Sequence, residues 1–187
     1  SDEVRRRVRG EGGRPVGPAA VATHRLHDEN RDPVIVACQR LGLTNGDDCP
    51  VKVLHTPAYL DGDDGVISKE YYDVLAAADL GVFPSFYEPW GYTPLEAIAL
   101  GVPAVTTDLA GFGRWAAGLK KERGRGVGVI ERVGRSDEAV TRDLTELLDE
   151  HLRADDEARH AARERARTIA QDATWDAFFD GYEGAYA

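Results

Sequence analysis

Between Leu80 and Leu152 the chain keeps returning to short apolar runs followed by stretches with helical spacing. "LGVFPS" leads through a loop into a helix expected from Pro94 to Leu100. "PAVTT" follows the stop at Gly101, and "GVGVIER" precedes a helix expected from Ser136 to about Leu152. Connections of this length are too long for hairpins, so the strands pair in parallel, and the continuous apolar character of "LGVFPS" is expected where both faces are covered. The expected fold class is α/β: a parallel-sheet, Rossmann-like domain with helices on both faces.

Other elements extend this pattern. In "DPVIVACQRLGL", Asp32 is an N-cap, Pro33 takes the first helical position, Val34, Ala37, Cys38 and Leu41 form the apolar stripe, and Gly42 is the stop. Val51 to Pro57 ("VKVLHTP") is expected as a short strand and "AYLDGDDGV" as a loop. Ser68 is expected to cap a helix running to about Asp79, with Tyr71, Val74, Leu75 and Ala78 on one stripe. "LAGFGRW" is expected as a glycine-punctuated loop, and two helices, about Asp155 to Ala170 and Trp175 to Tyr182, finish the chain. Residues 1–20, with the arginine cluster "RRRVR", are expected as a loop or mobile arm. Residues 21–187 are then an incomplete domain whose C-terminal helices occupy 136–187.

Composition sets limits. Thirty per cent charged and 42 per cent apolar residues describe a globular chain, and 187 residues suffice for a buried core. A net charge of −10 argues against a nucleic-acid partner. No apolar run is long enough for a membrane span and no signal peptide is visible, so the expectation is a cytoplasmic protein with no membrane partner. Cys38 and Cys49 have no metal-ligand spacing, and neither a metal nor a cofactor is implied. The absence of methionine suggests a piece of a longer protein.

The segment Phe83–Asp108 carries the chemistry. "TPLE" reads as a capping box, with Thr93 as N-cap, Pro94 in the first turn and Glu96 three positions on. Gly91, Tyr92 and Thr93 then present backbone N–H groups at a helix N-terminus, which favours a phosphate, and Gly91 permits close approach of a ligand. A carboxylate at Glu88, between Tyr87 and Pro89 at the carboxyl end of a strand, has no evident structural use; it suits a sugar hydroxyl or a developing positive charge. Bland readings stand beside these: Glu96 completes a cap, and Trp90 and Tyr92 are core aromatics. Together the residues describe a phosphate seat flanked by two acids and aromatic rings, which is a sugar-nucleotide site.

"GVFPSFYEPWGYTPLEAIALGVPAVTTDLAGFG" resembles the donor-site segment of eukaryotic-type glycogen synthases, which are retaining GT-B glycosyltransferases. The E-x7-E spacing from Glu88 to Glu96 is shared across many such enzymes; "YEPWGYTP" followed by "GVP" and "GFG" is narrower. "THRLHDENRDPVI" and "RLGL" agree, and the resemblance runs from about Val21 to Tyr182.

The resemblance implies the C-terminal, donor-binding part of an enzyme that moves glucose from UDP-glucose or ADP-glucose to the non-reducing end of an α-1,4-glucan. The glucan would be held by a separate N-terminal domain, and the fragment alone would be inactive. It implies a catalytic place for Glu88 beside the transferred glucose, and sugar-pocket places for Trp90 and Gly91. Tyr92 and Thr93 would hold the distal phosphate, Glu96 the ribose, and Tyr71 would stack on the base; a buried helix residue is the other reading of Tyr71. Arg159, Arg163 and Arg165 match the family's regulatory arginine pattern in spacing, although Glu157 and Glu164 also allow ordinary helical pairing. The basic pair that neutralises the donor phosphates in the family has no match here. A stand-alone nucleotide-sugar module and an enzyme with a small acceptor are the rival readings, and homo-oligomerisation stays open.

Overall fold

The computed structural model describes residues 20–119 and 126–186. The expected arm, including "RRRVR", lies outside them apart from Ala20. The chain divides into two compact units, Ser1–Val74 and Leu75–Ala187.

In the first unit, α1 (Pro33–Leu41) begins as its sequence requires. The Asp32 carboxylate accepts from the N–H groups of Val34 and Ile35, and Gly42 closes the helix at φ 70°. The buried stripe differs from the expected one: Ile35 and Cys38 are buried, while Val34 and Leu41 are exposed. The strand expected over Val51–Pro57 is reduced to one parallel bridge, Ala22 with His55. The cause is Asn45, at φ 58°, whose amide nitrogen donates to the carbonyls of Ala20 (3.1 Å) and Val53 (2.8 Å). Its amide oxygen accepts from Val53 N–H at 2.8 Å, so a side chain replaces the ladder a partner strand would supply.

Ser68 does not cap a helix. Asp64 gathers the N–H groups of Val66, Ile67 and Ser68, which leaves Ser68 at φ 50°, outside the extended conformation of an N-cap. The helix, α2, is shorter than expected and spans Tyr71–Ala76.

The second unit is a small α/β domain around a three-stranded parallel sheet in the order β1 (Gly81–Val82), β2 (Ala104–Thr107), β3 (Val127–Ile130). Gly81 faces Ala104, and Ala104 to Thr107 face Val127 to Ile130 in register. Every residue of β2 is buried. Successive side chains of a strand point to opposite faces, and the two core clusters follow that rule. Ala104 packs with Ala97, Ile98, Val102 and Phe112 and with Ala166 and Ile169 of a C-terminal helix, whereas Val105 packs with Ile130 and Val140.

Helix α3 (Tyr92–Ala99) links β1 to β2 and ends before Gly101, whose φ of 78° favours glycine. "LAGFGRW" is not a loop: α4 spans Gly111–Ala117. Its glycines mark close approach instead of flexibility. A Cβ at Gly111 would lie 2.2 Å from the Pro89 carbonyl oxygen, and one at Gly113 would lie 2.0 Å from that of Thr107. Helix α5 (Asp137–Arg153) is capped by Ser136 and α6 (Asp156–Asp172) by Asp155; α7 (Trp175–Tyr186) follows. Among the described residues no helix is long and apolar enough to cross a membrane.

Candidate donor site at the carboxyl ends of the strands

Parallel strands β1 and β2 point their carboxyl ends to one edge of the sheet, where α/β proteins bind ligands. The segment leaving β1 is tied to the segment leaving β2. Glu88 pairs with Ala110 in a parallel bridge; Glu88 N–H donates to Leu109 (3.3 Å), and its carbonyl accepts from Gly111 (3.1 Å). Phe112 N–H then donates to the Trp90 carbonyl at 2.7 Å. This backbone lacing holds the loop that carries Glu88 against the start of α4.

The half-buried Glu88 carboxylate accepts a hydrogen bond from the Ser85 hydroxyl at 2.9 Å. Its Oε2 also lies at the start of α3, 3.3 Å from where a Cβ on Gly91 would stand. Phe112 and Pro94 crowd the same spot at 3.4 Å, and Gly91 adopts φ 112°. A side chain there would crowd these neighbours and strain the backbone.

The helix start differs from the expected capping box. Gly91 is the N-cap, Tyr92 and Thr93 lie inside the first turn, and no side chain caps the helix. Placing Thr93 inside the helix puts Pro94, not Glu96, at the third helical position, so the reciprocal bond of a capping box has no donor or acceptor in place. The N–H groups of Tyr92 and Thr93 have no upstream helical carbonyl to bond, and both side chains are exposed. Glu96 stands half-buried a turn further on.

The aromatic residues separate. Trp90 is partly buried among Phe112, Trp115 and Phe178, with ring centroids 6.0, 6.1 and 5.1 Å away, so its ring is a member of the core. Tyr92 is 64 % exposed, which removes the core reading for that residue. Tyr71 belongs to the first unit, half-buried, with its ring edge-on to Tyr72 at 5.1 Å.

Among the arginines of α6, Arg163 is committed to the fold. Its guanidinium donates to the Ala78 carbonyl and to Asp79, both at 3.1 Å. Arg159 donates to the Leu152 carbonyl at 3.2 Å, while its Nε and that of Arg165 are buried without a partner. Arg165 is six positions from Arg159, and at roughly 3.6 residues per turn it sits on a different face of α6.

Several residues near Glu88 escaped the sequence reading. Thr107, at the end of β2, donates from its hydroxyl to the Ser85 carbonyl at 2.7 Å. Asp108 accepts from Arg132 N–H at 2.8 Å, and its carbonyl accepts from Arg114 Nε at 2.8 Å. Ser85 stands three positions before Glu88, a spacing that a turn brings together and that the sequence displays; Arg132 gives no such local signal.

A parallel α/β sheet whose strand ends carry a glycine-started helix and a carboxylate belongs to the class of domains that bind ligands at that edge. The sequence matches the family described as Glycogen synthase over residues 11–186, and the chain belongs to that family. It is 36 % identical over 129 residues to the liver glycogen [starch] synthases of Rattus norvegicus and Homo sapiens, covering 68 % of this chain and 18 % of each of those proteins. Isoform 1 of glycogen [starch] synthase from Saccharomyces cerevisiae is 33 % identical over 141 residues, covering 73 % of this chain and 20 % of that protein. The chain therefore spans about a fifth of the length of these relatives.

Proposed function

We propose that these residues form the nucleotide-sugar donor side of a retaining glycosyltransferase that extends an α-1,4-glucan, as the C-terminal, Rossmann-like half of a GT-B enzyme. UDP-glucose or ADP-glucose is the donor, the glucan is bound by a separate N-terminal domain, and residues 21–187 are inactive alone. The observation that carries the reading is the junction of Glu88 with Gly91. An acid at the end of one connection stands directly beside an uncapped helix start, with Tyr92 and Thr93 facing solvent.

In this reading the donor's distal phosphate lies against the N–H groups of Tyr92 and Thr93 and the Thr93 hydroxyl. Partial positive charge at the helix start stabilises the diphosphate as the bond to glucose breaks. Positive charge develops on the sugar at the same moment, and Glu88 stands on that side of the phosphate seat to stabilise it. Gly91 lets the sugar approach the backbone. Glu96 holds the ribose hydroxyls. Trp90 supports the pocket from behind through its place in the aromatic cluster.

The test uses the full natural protein that contains these residues, assayed for glucose transfer to glucan. Glu88→Ala collapses turnover while donor binding is largely retained, and Glu96→Ala chiefly weakens donor binding. Unchanged turnover in Glu88→Ala removes that residue from the mechanism.

A further inference from the structure

The lacing around Glu88 fixes its backbone but not its carboxylate, which sits at the end of three rotatable bonds. One described hydrogen bond constrains that carboxylate: the Ser85 hydroxyl, at 2.9 Å. Ser85 is itself held from below. Its N–H donates to the Phe83 carbonyl at 2.8 Å, and its own carbonyl accepts from the Thr107 hydroxyl at 2.7 Å. Thr107 is fully buried at the end of β2, and its oxygen also accepts from Leu109 N–H at 3.3 Å. Each hydroxyl has a single proton, and each of these protons has a definite destination: Thr107 to the Ser85 carbonyl, Ser85 to the Glu88 carboxylate. The chain therefore runs from the most buried strand of the sheet to the acid beside the helix start.

We infer that Ser85 is a positioning residue for Glu88, setting the carboxylate at the sugar side of the phosphate seat, with Thr107 anchoring Ser85 to β2. The inference rests on the donor-site reading above. A hydrogen bond from a neutral hydroxyl to a charged group is one of the stronger kinds, and losing it releases Glu88 to other rotamers. Donor binding depends on the helix start and on Glu96, which the substitution leaves in place. The effect therefore falls on turnover and not on donor affinity.

The experiment measures glucose transfer by the full natural protein carrying Ser85→Ala, Ser85→Thr, Glu88→Ala, and Ser85→Ala combined with Glu88→Ala. Thermal melts confirm that each variant folds. Ser85→Ala is expected to lower kcat about tenfold, equivalent to about 1.4 kcal/mol, with the donor KM within about twofold of wild type. Ser85→Thr, which keeps the hydroxyl, restores most of the loss. In the Glu88→Ala background, Ser85→Ala adds no further loss, because the residue acts through Glu88.

An unchanged kcat in Ser85→Ala overturns the inference, as does a loss that Ser85→Thr fails to rescue or one that persists in the Glu88→Ala background. Such results leave the donor-site reading intact provided that Glu88→Ala itself lowers turnover well below wild type while keeping a measurable residual rate. A wild-type protein that transfers no glucose, or a fully active Glu88→Ala, removes the donor-site reading instead.

Discussion

The guanidinium of Arg132 lies 3.5 Å above the ring centroid of Phe86, joining the segment after β3 to the segment after β1. The same arginine donates its N–H to Asp108 at 2.8 Å and its side chain to Asp137 at 3.2 Å. Its side chain is only 10 % exposed, although Phe86 is 71 % exposed, so the aromatic ring covers the cation and not the reverse. Phe86→Leu should lower stability by about 1 kcal/mol, since Leu keeps bulk but loses the ring face. Combined with Arg132→Gln in a double-mutant cycle, the coupling should be about 0.5–1 kcal/mol by denaturant unfolding. Strict additivity would show that the stacking contributes nothing.

Two glycines of α4 should be irreplaceable. Gly113→Ala places a methyl group 2.0 Å from the Thr107 carbonyl oxygen, and Gly111→Ala places one 2.2 Å from that of Pro89. Backbone cannot yield as a flexible side chain can, so each should cost about 3 kcal/mol or more. Gly184 is the control: a Cβ there meets nothing within 4 Å, and Gly184→Ala should leave stability unchanged or raise it by about 0.5 kcal/mol. Urea unfolding of the three variants measures the contrast.

Asp64 gives the first unit an acid sensitivity. Partial burial pushes its carboxyl upward, but the N–H groups of Val66, Ile67 and Ser68, together with the charge of His24, outweigh this and hold it below the usual 3.8. A folded-state value below the unfolded one gives stability that is present above 3.8 and is lost as pH falls through the folded value. Solvent reaches the half-buried Asp64, so screening keeps the contribution to no more than about 1 kcal/mol. Unfolding midpoints followed from neutral pH downward should fall with acid, and Asp64→Asn should flatten that decline.

Arg163 should matter to the fold. Arg163→Gln leaves the Ala78 carbonyl without its 3.1 Å donor and Asp79 without its ion pair. The expected loss is about 1–2 kcal/mol, measured by thermal unfolding. A stability equal to wild type would free Arg163 for another role.

The sequence was most readable where a signal is local. Asp32–Pro33 and Gly42 bound α1, Ser136 and Asp155 cap α5 and α6, and the short, β-branched "AVTT" run after Gly101 marks β2 because each of these is decided by its own residues. Misreadings occurred where a distant or multidentate side chain decided the backbone. Asn45 satisfied Val53 in place of a strand, and Asp64 drew Ser68 out of the helix. Gly111 and Gly113 resembled a loop because glycine has two uses, and only the approach of Pro89 and Thr107 shows which applies.

The site divides in the same way. Glu88 and Gly91 stand out in the sequence, and the structure sets them side by side. The capping role given to Thr93 failed because the helix begins two residues earlier, with Gly91 as its N-cap. Arg132 was invisible because it reaches Asp108 from 24 positions away and Phe86 from a third connection.

The most direct test of the donor-site account is a crystal structure of the full natural protein with a nucleoside diphosphate glucose bound. The account predicts the distal phosphate against the N–H groups of Tyr92 and Thr93, the glucose beside Glu88, and the ribose on Glu96. A donor bound elsewhere, with the start of α3 empty or Glu88 turned away from the sugar, would contradict it.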